Sequence, residues 1–264
     1  MIAAAESRVA TPTVPALEAR GVFKDFGGVA AVAGTDFAIG EGRISGLIGP
    51  NGAGKSTMVN IISGALKPRL GSIMFRGEEI TNLPTHEIAR RGIVRTFQLS
   101  SEFGRLTVLE NLLVAAPSQV GETFWGAMLG KRYWQAQERK LVLRARELLE
   151  RFAMSAKENE FAGNLSGGQR RLVEIMRGLM AEPKLLLLDE PLAGVNPSLA
   201  QDIMGYLEDL RDEGLTMLMV EHDLGAVERV CDPVIVMAQG KVLAQGTLAD
   251  LRKQQEVLDA YFIG

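Results

Sequence analysis

Residues 49–57 read GPNGAGKST; the apolar stretch ISGLI precedes them, and apolar residues recur at helical spacing from Ser56 to about Leu66. A strand running through a glycine turn into a helix admits few folds, because the turn must pack against both elements it joins. Gly49, Gly54, Lys55 and Ser56 have the spacing of a phosphate-binding loop. In such a loop the glycines let backbone N–H groups converge, the ammonium meets the β- and γ-phosphates, and the hydroxyl ligates magnesium. Pro50, Asn51, Gly52 and Ala53 form its body, and Thr57 follows it into the helix.

A second stretch supplies what a phosphate loop needs. LLLLDEP, residues 185–191, is a buried-strand pattern ending in two carboxylates. Asp189 is placed to stand beside the magnesium. Glu190 is a candidate to orient and deprotonate water. His222, in MLMVEHD, also follows an apolar strand, where ligands bind in open α/β sheets. It reads either as a γ-phosphate contact or as a plain residue at a helix start, with Asp223 as cap. Gln98, in IVRTFQ, offers an amide that reaches magnesium and water, and Phe26, in FKDFGG, either stacks on a base or packs in its hairpin.

LSGGQ, residues 165–169, raises a separate question. Ser166 and Gln169 make a capping box, which explains those two residues as a helix start. Gly167 and Gly168 are not explained by it, since each costs about 1 kcal/mol relative to Ala at a helical position. Bare backbone at a helix start suits an approaching anion. One phosphate loop holds one triphosphate, so the second turn is expected to cover a nucleotide held by another subunit.

Short β-prone pieces between Leu17 and Ser45, with GSIMFRGEEI later, predict an antiparallel sheet. TVLENLLVA carries a Thr107/Glu110 capping box, and residues 131–154 have apolar positions Trp134, Leu141, Ala145, Leu148, Leu149 and Phe152 at helical spacing. Beyond Pro183, apolar strands alternate with helices, the pattern of a parallel sheet covered on both faces. The predicted class is α/β: a three-layer core with a mainly parallel sheet, an antiparallel β subdomain and an inserted helical subdomain over about 99–180, preceded by a loose tail over 1–16. The 29 Lys and Arg against 32 Asp and Glu disfavour nucleic acid as a partner. A single cysteine, Cys231, leaves neither a disulfide framework nor a zinc cluster. No export signal and no run of eighteen apolar residues is visible.

Phe26, GPNGAGKST, Gln98, LSGGQ, LLLLDEP and His222 occur in the order and approximate spacing of the nucleotide-binding subunits of ATP-binding cassette (ABC) transporters, and the chain resembles that family from Leu17 onward. The resemblance implies a P-loop NTPase core and a head-to-tail dimer, with each ATP between one subunit's phosphate loop and the other's signature turn, Ser166 to Gln169. It further implies that Lys55 and the loop amides bind phosphate, that Ser56, Gln98 and Asp189 arrange Mg2+, that Glu190 is the base, that His222 holds the γ-phosphate and that Phe26 stacks on adenine. One departure is Asn196, in AGVN, where the family usually has aspartate; Asn196 before Pro197 also makes a good N-cap and N1 pair.

RTFQ, LTVLENLLVA, EPLAGVNP and VLDAYFIG are similar to the importer ATPases for branched-chain amino acids and related amides. Urea-uptake and lipopolysaccharide-export ATPases are near alternatives, and a soluble non-transport cassette ATPase is another. The chain ends soon after the last strand, so no C-terminal regulatory domain is expected. The importer resemblance implies a peripheral subunit on the cytoplasmic face of the inner membrane, paired with the same or another ATPase chain, docked on permease subunits and served by a solute-binding protein. Trp125, Tyr133 and Trp134 fall where it places the permease contact, and local packing is the competing reading. A phosphate-loop GTPase is disfavoured, because no N-K-x-D motif is present.

Overall fold

The computed structural model describes residues 14–96, 103–117 and 131–262. The described residues run through β1 (Leu17–Phe26) and β2 (Val29–Ile39), an antiparallel pair, then β3 (Ile44–Ile48) and, through the glycine loop, α1 (Lys55–Ile62). β4 (Leu70–Phe75) and the short β5 (Glu78–Glu79) complete a sheet of order β2-β1-β4-β5, as the β-prone pieces predict. Ala16, at the end of the expected tail, is buried and its N–H donates to the Ile39 carbonyl at 2.8 Å; residues 1–13 lie outside the described residues.

Next come α2 (Thr85–Arg91), β6 (Ile93–Arg95), α3 (Val108–Val114), α4 (Lys131–Arg151) and α5 (Gly167–Met180). Strands and helices then alternate: β7 (Leu185–Asp189), α6 (Pro197–Asp212), β8 (Thr216–Val220), α7 (Leu224–Val230), β9 (Val234–Ala238), β10 (Lys241–Gly246), α8 (Leu248–Leu251) and α9 (Gln255–Phe262). The larger sheet has the order β10-β9-β3-β8-β7-β6; all its pairings are parallel except that of β10 with β9.

The period of two in the central strands decides how the layers meet. Leu185, Leu187, Leu218, Val220, Ile235 and Met237 join the core that β1, β2, β4 and α1 cover. Their alternates, Leu186, Leu188, Met217, Met219, Val234 and Val236, join the core beneath α5, α6 and α7. Both faces are therefore apolar, and each buried Leu or Val contributes roughly 1.5–3 kcal/mol. Val108 and Leu112 of α3, and Leu148, Leu149 and Phe152 at the end of α4, belong to the second core, so the helical segment shares its apolar interior with the sheet.

One helix boundary differs from the sequence reading. The helix after the glycine loop ends at Ile62 instead of near Leu66, because Gly64 takes a left-handed φ of 74° and its N–H turns back to the Ile61 carbonyl. Pro84 is the N-cap of α2 and stands just outside it, while Gly92 ends the helix with a left-handed φ of 102°.

Candidate active site

β3, β8 and β7 are neighbours and run parallel, so the glycine loop, His222 and the Asp189–Glu190 pair all leave the sheet at its carboxyl edge, where a crevice between strand ends receives ligands. The loop's glycines are required by the fold. A Cβ at Gly49 would come within 2.0 Å of the Met237 carbonyl oxygen, and one at Gly54 within 2.3 Å of that of Ala31. Gly54 is the N-cap of α1 with φ 99° and no side chain caps the helix, whereas Ser166, Asn196 and Asp223 fill this role for α5, α6 and α7. An uncapped start leaves orphan N–H groups and a dipole end for an anion. Asn51, Gly52 and Ser56 are exposed there, Thr57 is half-buried, and Ala53 is buried beneath the loop.

Lys55 is only 6% exposed, and its ammonium donates to the carbonyls of Gly49 at 2.7 Å and Pro50 at 2.9 Å. Burial pulls its pKa below the ordinary lysine value, and the nearby carboxylates of Glu190 and Asp189 oppose that shift. The loop thus carries its cation already folded inward.

Asp189, at the end of β7, is tied to two neighbouring elements. Its Oδ2 accepts from Arg95 at 2.6 Å, and the same guanidinium donates to Asn60 Oδ1 at 2.5 Å, tying β6 and α1 to β7. Neither Arg95 nor Asn60 is singled out by the sequence; the pairing requires β6 beside β7, which only the strand order supplies. Among the described residues no cluster of three His, Cys, Asp or Glu could hold a metal. A hydroxyl from Ser56 and one carboxylate from Asp189 are hard oxygen donors that fit Mg2+, which takes few protein ligands when phosphates supply the others.

Glu190 adopts a left-handed φ of 49°, uncommon for a residue with a side chain. Two backbone bonds hold it there, from its own N–H to the Val220 carbonyl at 2.9 Å and from the Ala193 N–H to its carbonyl at 3.1 Å. The turn carries its carboxylate to His222, whose Nε2 lies 2.9 Å from Glu190 Oε1, with both side chains half exposed. A cleft of ≈ 560 Å³ lies against this pair, lined also by Leu192, Val195 and Arg229.

In the second glycine turn both arms of the capping box form: Ser166 Oγ accepts from the Gln169 N–H at 3.2 Å, and the Ser166 N–H donates to Gln169 Oε1 at 3.0 Å. Gly168 has an internal reason the sequence does not reveal. A Cβ there would come within 2.3 Å of Leu199 Cδ2 and 3.5 Å of Val195. At exposed Gly167 a Cβ would meet only the Gly194 carbonyl oxygen, at an ordinary 3.7 Å, so packing does not explain that glycine. Asn196 caps α6, its Oδ1 accepting from the Leu199 N–H at 2.9 Å, as its structural reading expects.

Phe26 is half exposed at the end of β1, with the Lys24 ammonium 5.4 Å from its ring centroid, a cation–π distance. Gln98 and Trp125 lie outside the described residues, and of Tyr133 and Trp134 only the backbone, in α4, is described.

The family described as ABC transporter matches residues 32–193, from β2 to the turn after Glu190. The chain belongs to this family. As an ATP-binding cassette it is an ATPase of the kind that powers transport. It is 40% identical over 248 residues to a high-affinity branched-chain amino acid transport ATP-binding protein, BraF, of Pseudomonas aeruginosa, covering 94% of this chain and 97% of that one. It is also 39% identical over 245 residues to a probable branched-chain amino acid transport ATP-binding protein, LivG, of Archaeoglobus fulgidus, covering 93% and 94%. A crystal structure of a nucleotide-free ATP-binding cassette from an ABC transporter superposes with a TM-score of 0.82 at 36% identity, covering 94% of this cassette and 99% of that chain. Among the described residues no helix of the cassette is long and apolar enough to cross a membrane.

Proposed function

We propose that the cassette hydrolyses ATP to energise uptake of branched-chain amino acids or related amides through separate permease subunits. The observation that carries this is the likeness, at 39% and 40% identity over more than nine tenths of each chain, to proteins named for branched-chain amino acid transport. The cassette works at the cytoplasmic face of the membrane as half of an ATPase dimer, with a solute-binding protein delivering the cargo. A helical subdomain over about 99–180, with Trp125 and Trp134, faces the permease.

In this reading the loop amides of residues 49–57 and Lys55 bind the triphosphate, and Phe26 stacks on adenine. Ser56, Asp189 and Gln98 hold Mg2+, which when bound neutralises charge on the phosphate oxygens. Glu190 takes a proton from the attacking water. His222, at hydrogen-bond distance from Glu190, orients that carboxylate and contacts the γ-phosphate. Ser166, Gly167, Gly168 and Gln169 of the partner subunit close over the γ-phosphate, so hydrolysis requires two chains. The uncapped α1 start and the unexplained Gly167 support a phosphate at each turn.

Uptake of labelled leucine and of labelled urea by the reconstituted complex with its solute-binding protein tests the substrate class. ATP-dependent accumulation of leucine is expected; accumulation of urea with no leucine uptake would replace this reading.

A further inference from the structure

Glu221 follows β8, a strand whose five residues are all buried, and is itself only 4% exposed. Among the described ion pairs none includes it. Its oxygens are spent on two backbone amides: Oε1 accepts from the Leu192 N–H at 2.9 Å, and Oε2 from the His222 N–H at 3.0 Å. Burying a carboxylate is costly unless its hydrogen bonds are made, and an apolar side chain would pack there with no such cost. Charge-assisted bonds to two amides are strong and directional, and they tie the start of the His222 turn to the loop after Glu190, beside the Glu190 N–H bond to the Val220 carbonyl and the His222–Glu190 side-chain contact.

One amide opens the turn that presents the His222 ring. The other lies in the loop between Glu190 and Asn196, which is further shaped by bonds from Ala193 N–H to the Glu190 carbonyl and from Val195 N–H to the Leu192 carbonyl. Val195 in turn borders Gly168 of the signature turn. We propose that Glu221 is a positioning residue for hydrolysis, holding His222 and the 190–196 loop in fixed register so that the imidazole, the Glu190 carboxylate and the signature turn shift as one unit. The proposal rests on the reading of Glu190 and His222 as the hydrolytic pair.

The sequence has two histidines, and the other, His86, is exposed on α2, so imidazole resonances of the full chain report on His222 with an internal reference. Glu221→Ala removes both acceptors; Glu221→Gln keeps the shape and one acceptor, which guards against a variant that fails to fold. Expected are ATP affinity within twofold of the parent, kcat lowered at least tenfold by Ala and less by Gln, and a shifted His222 resonance beside an unmoved His86. A kcat within twofold of the parent in both variants, or a kcat loss with His222 unmoved, overturns the proposal. His222→Ala, measured alongside, separates the two levels: full kcat in that variant removes the underlying reading, whereas its loss with an active Glu221→Ala removes only the positioning role.

Discussion

Nε2 of His222 lies 2.9 Å from Oε1 of Glu190, and the two residues leave adjacent strands, β8 and β7. The imidazole is thereby placed to hold the carboxylate in one rotamer, and in the proposed function it also contacts the γ-phosphate. Replacing His222 with Ala should lower kcat about 100-fold, the scale of losing one oriented polar group at a reacting centre. Steady-state ATPase assays check it, with ATP affinity expected to stay within a few-fold because Lys55 is untouched.

Arg95 bridges Asp189 and Asn60 from a largely buried position, 15% exposed against 26% for Asp189. Truncation strands a partly buried carboxylate. Arg95→Met should destabilise the fold by about 1–3 kcal/mol, the range for leaving a buried hydrogen-bonding group without its partner. Calorimetry should show a midpoint lowered by several degrees.

The glycines of the two turns are predicted to differ in kind. Gly54→Ala must place a Cβ at φ 99° within 2.3 Å of a backbone oxygen and should compromise folding. Gly168→Ala meets the far end of Leu199, which can yield at a cost of about 1–3 kcal/mol. Gly167→Ala meets nothing closer than 3.7 Å and should leave stability equal or raised by up to about 1 kcal/mol. A drop in ATPase of tenfold or more in that stable variant would mark Gly167 as making room for the nucleotide. Unchanged turnover would assign it to the helix start alone.

Burial, with the Glu221 carboxylate adding to it, pushes the Cys231 thiol from 9.0 up to about 12. The native protein should therefore resist thiol reagents at pH 8 and react rapidly only when unfolded. The unfolded thiol loses its proton near pH 9 while the folded one keeps it to about 12, so the unfolded state binds fewer protons across that window. Stability from this group is complete below pH 9 and falls as pH rises toward 12, which denaturant titrations of the parent and Cys231→Ser would separate.

Much of this was legible in the sequence where one residue type has a local physical meaning. The capping boxes of Thr107 with Glu110 and Ser166 with Gln169 formed as spaced, and Asn196 and Asp223 cap α6 and α7. The apolar runs of β7, β8 and β9 became a parallel sheet covered on both faces. What escaped depends on strand order and on distant packing. Arg95 meets Asp189 only because β6 pairs with β7, and Gly168 is held bare by Leu199, thirty-one positions away. Glu221 stands inside the quoted MLMVEHD but attracts no notice, since nothing local tells that the Leu192 amide will come to it.

The central claim is that Glu190, turned by its left-handed backbone toward His222, activates the water that attacks ATP. Single-turnover hydrolysis of γ-labelled ATP by Glu190→Gln, in the complex with its partner ATPase and permease, tests it most directly. The account predicts nucleotide retained as intact ATP with hydrolysis slowed by about 100-fold or more. Hydrolysis within a few-fold of the parent rate would contradict it.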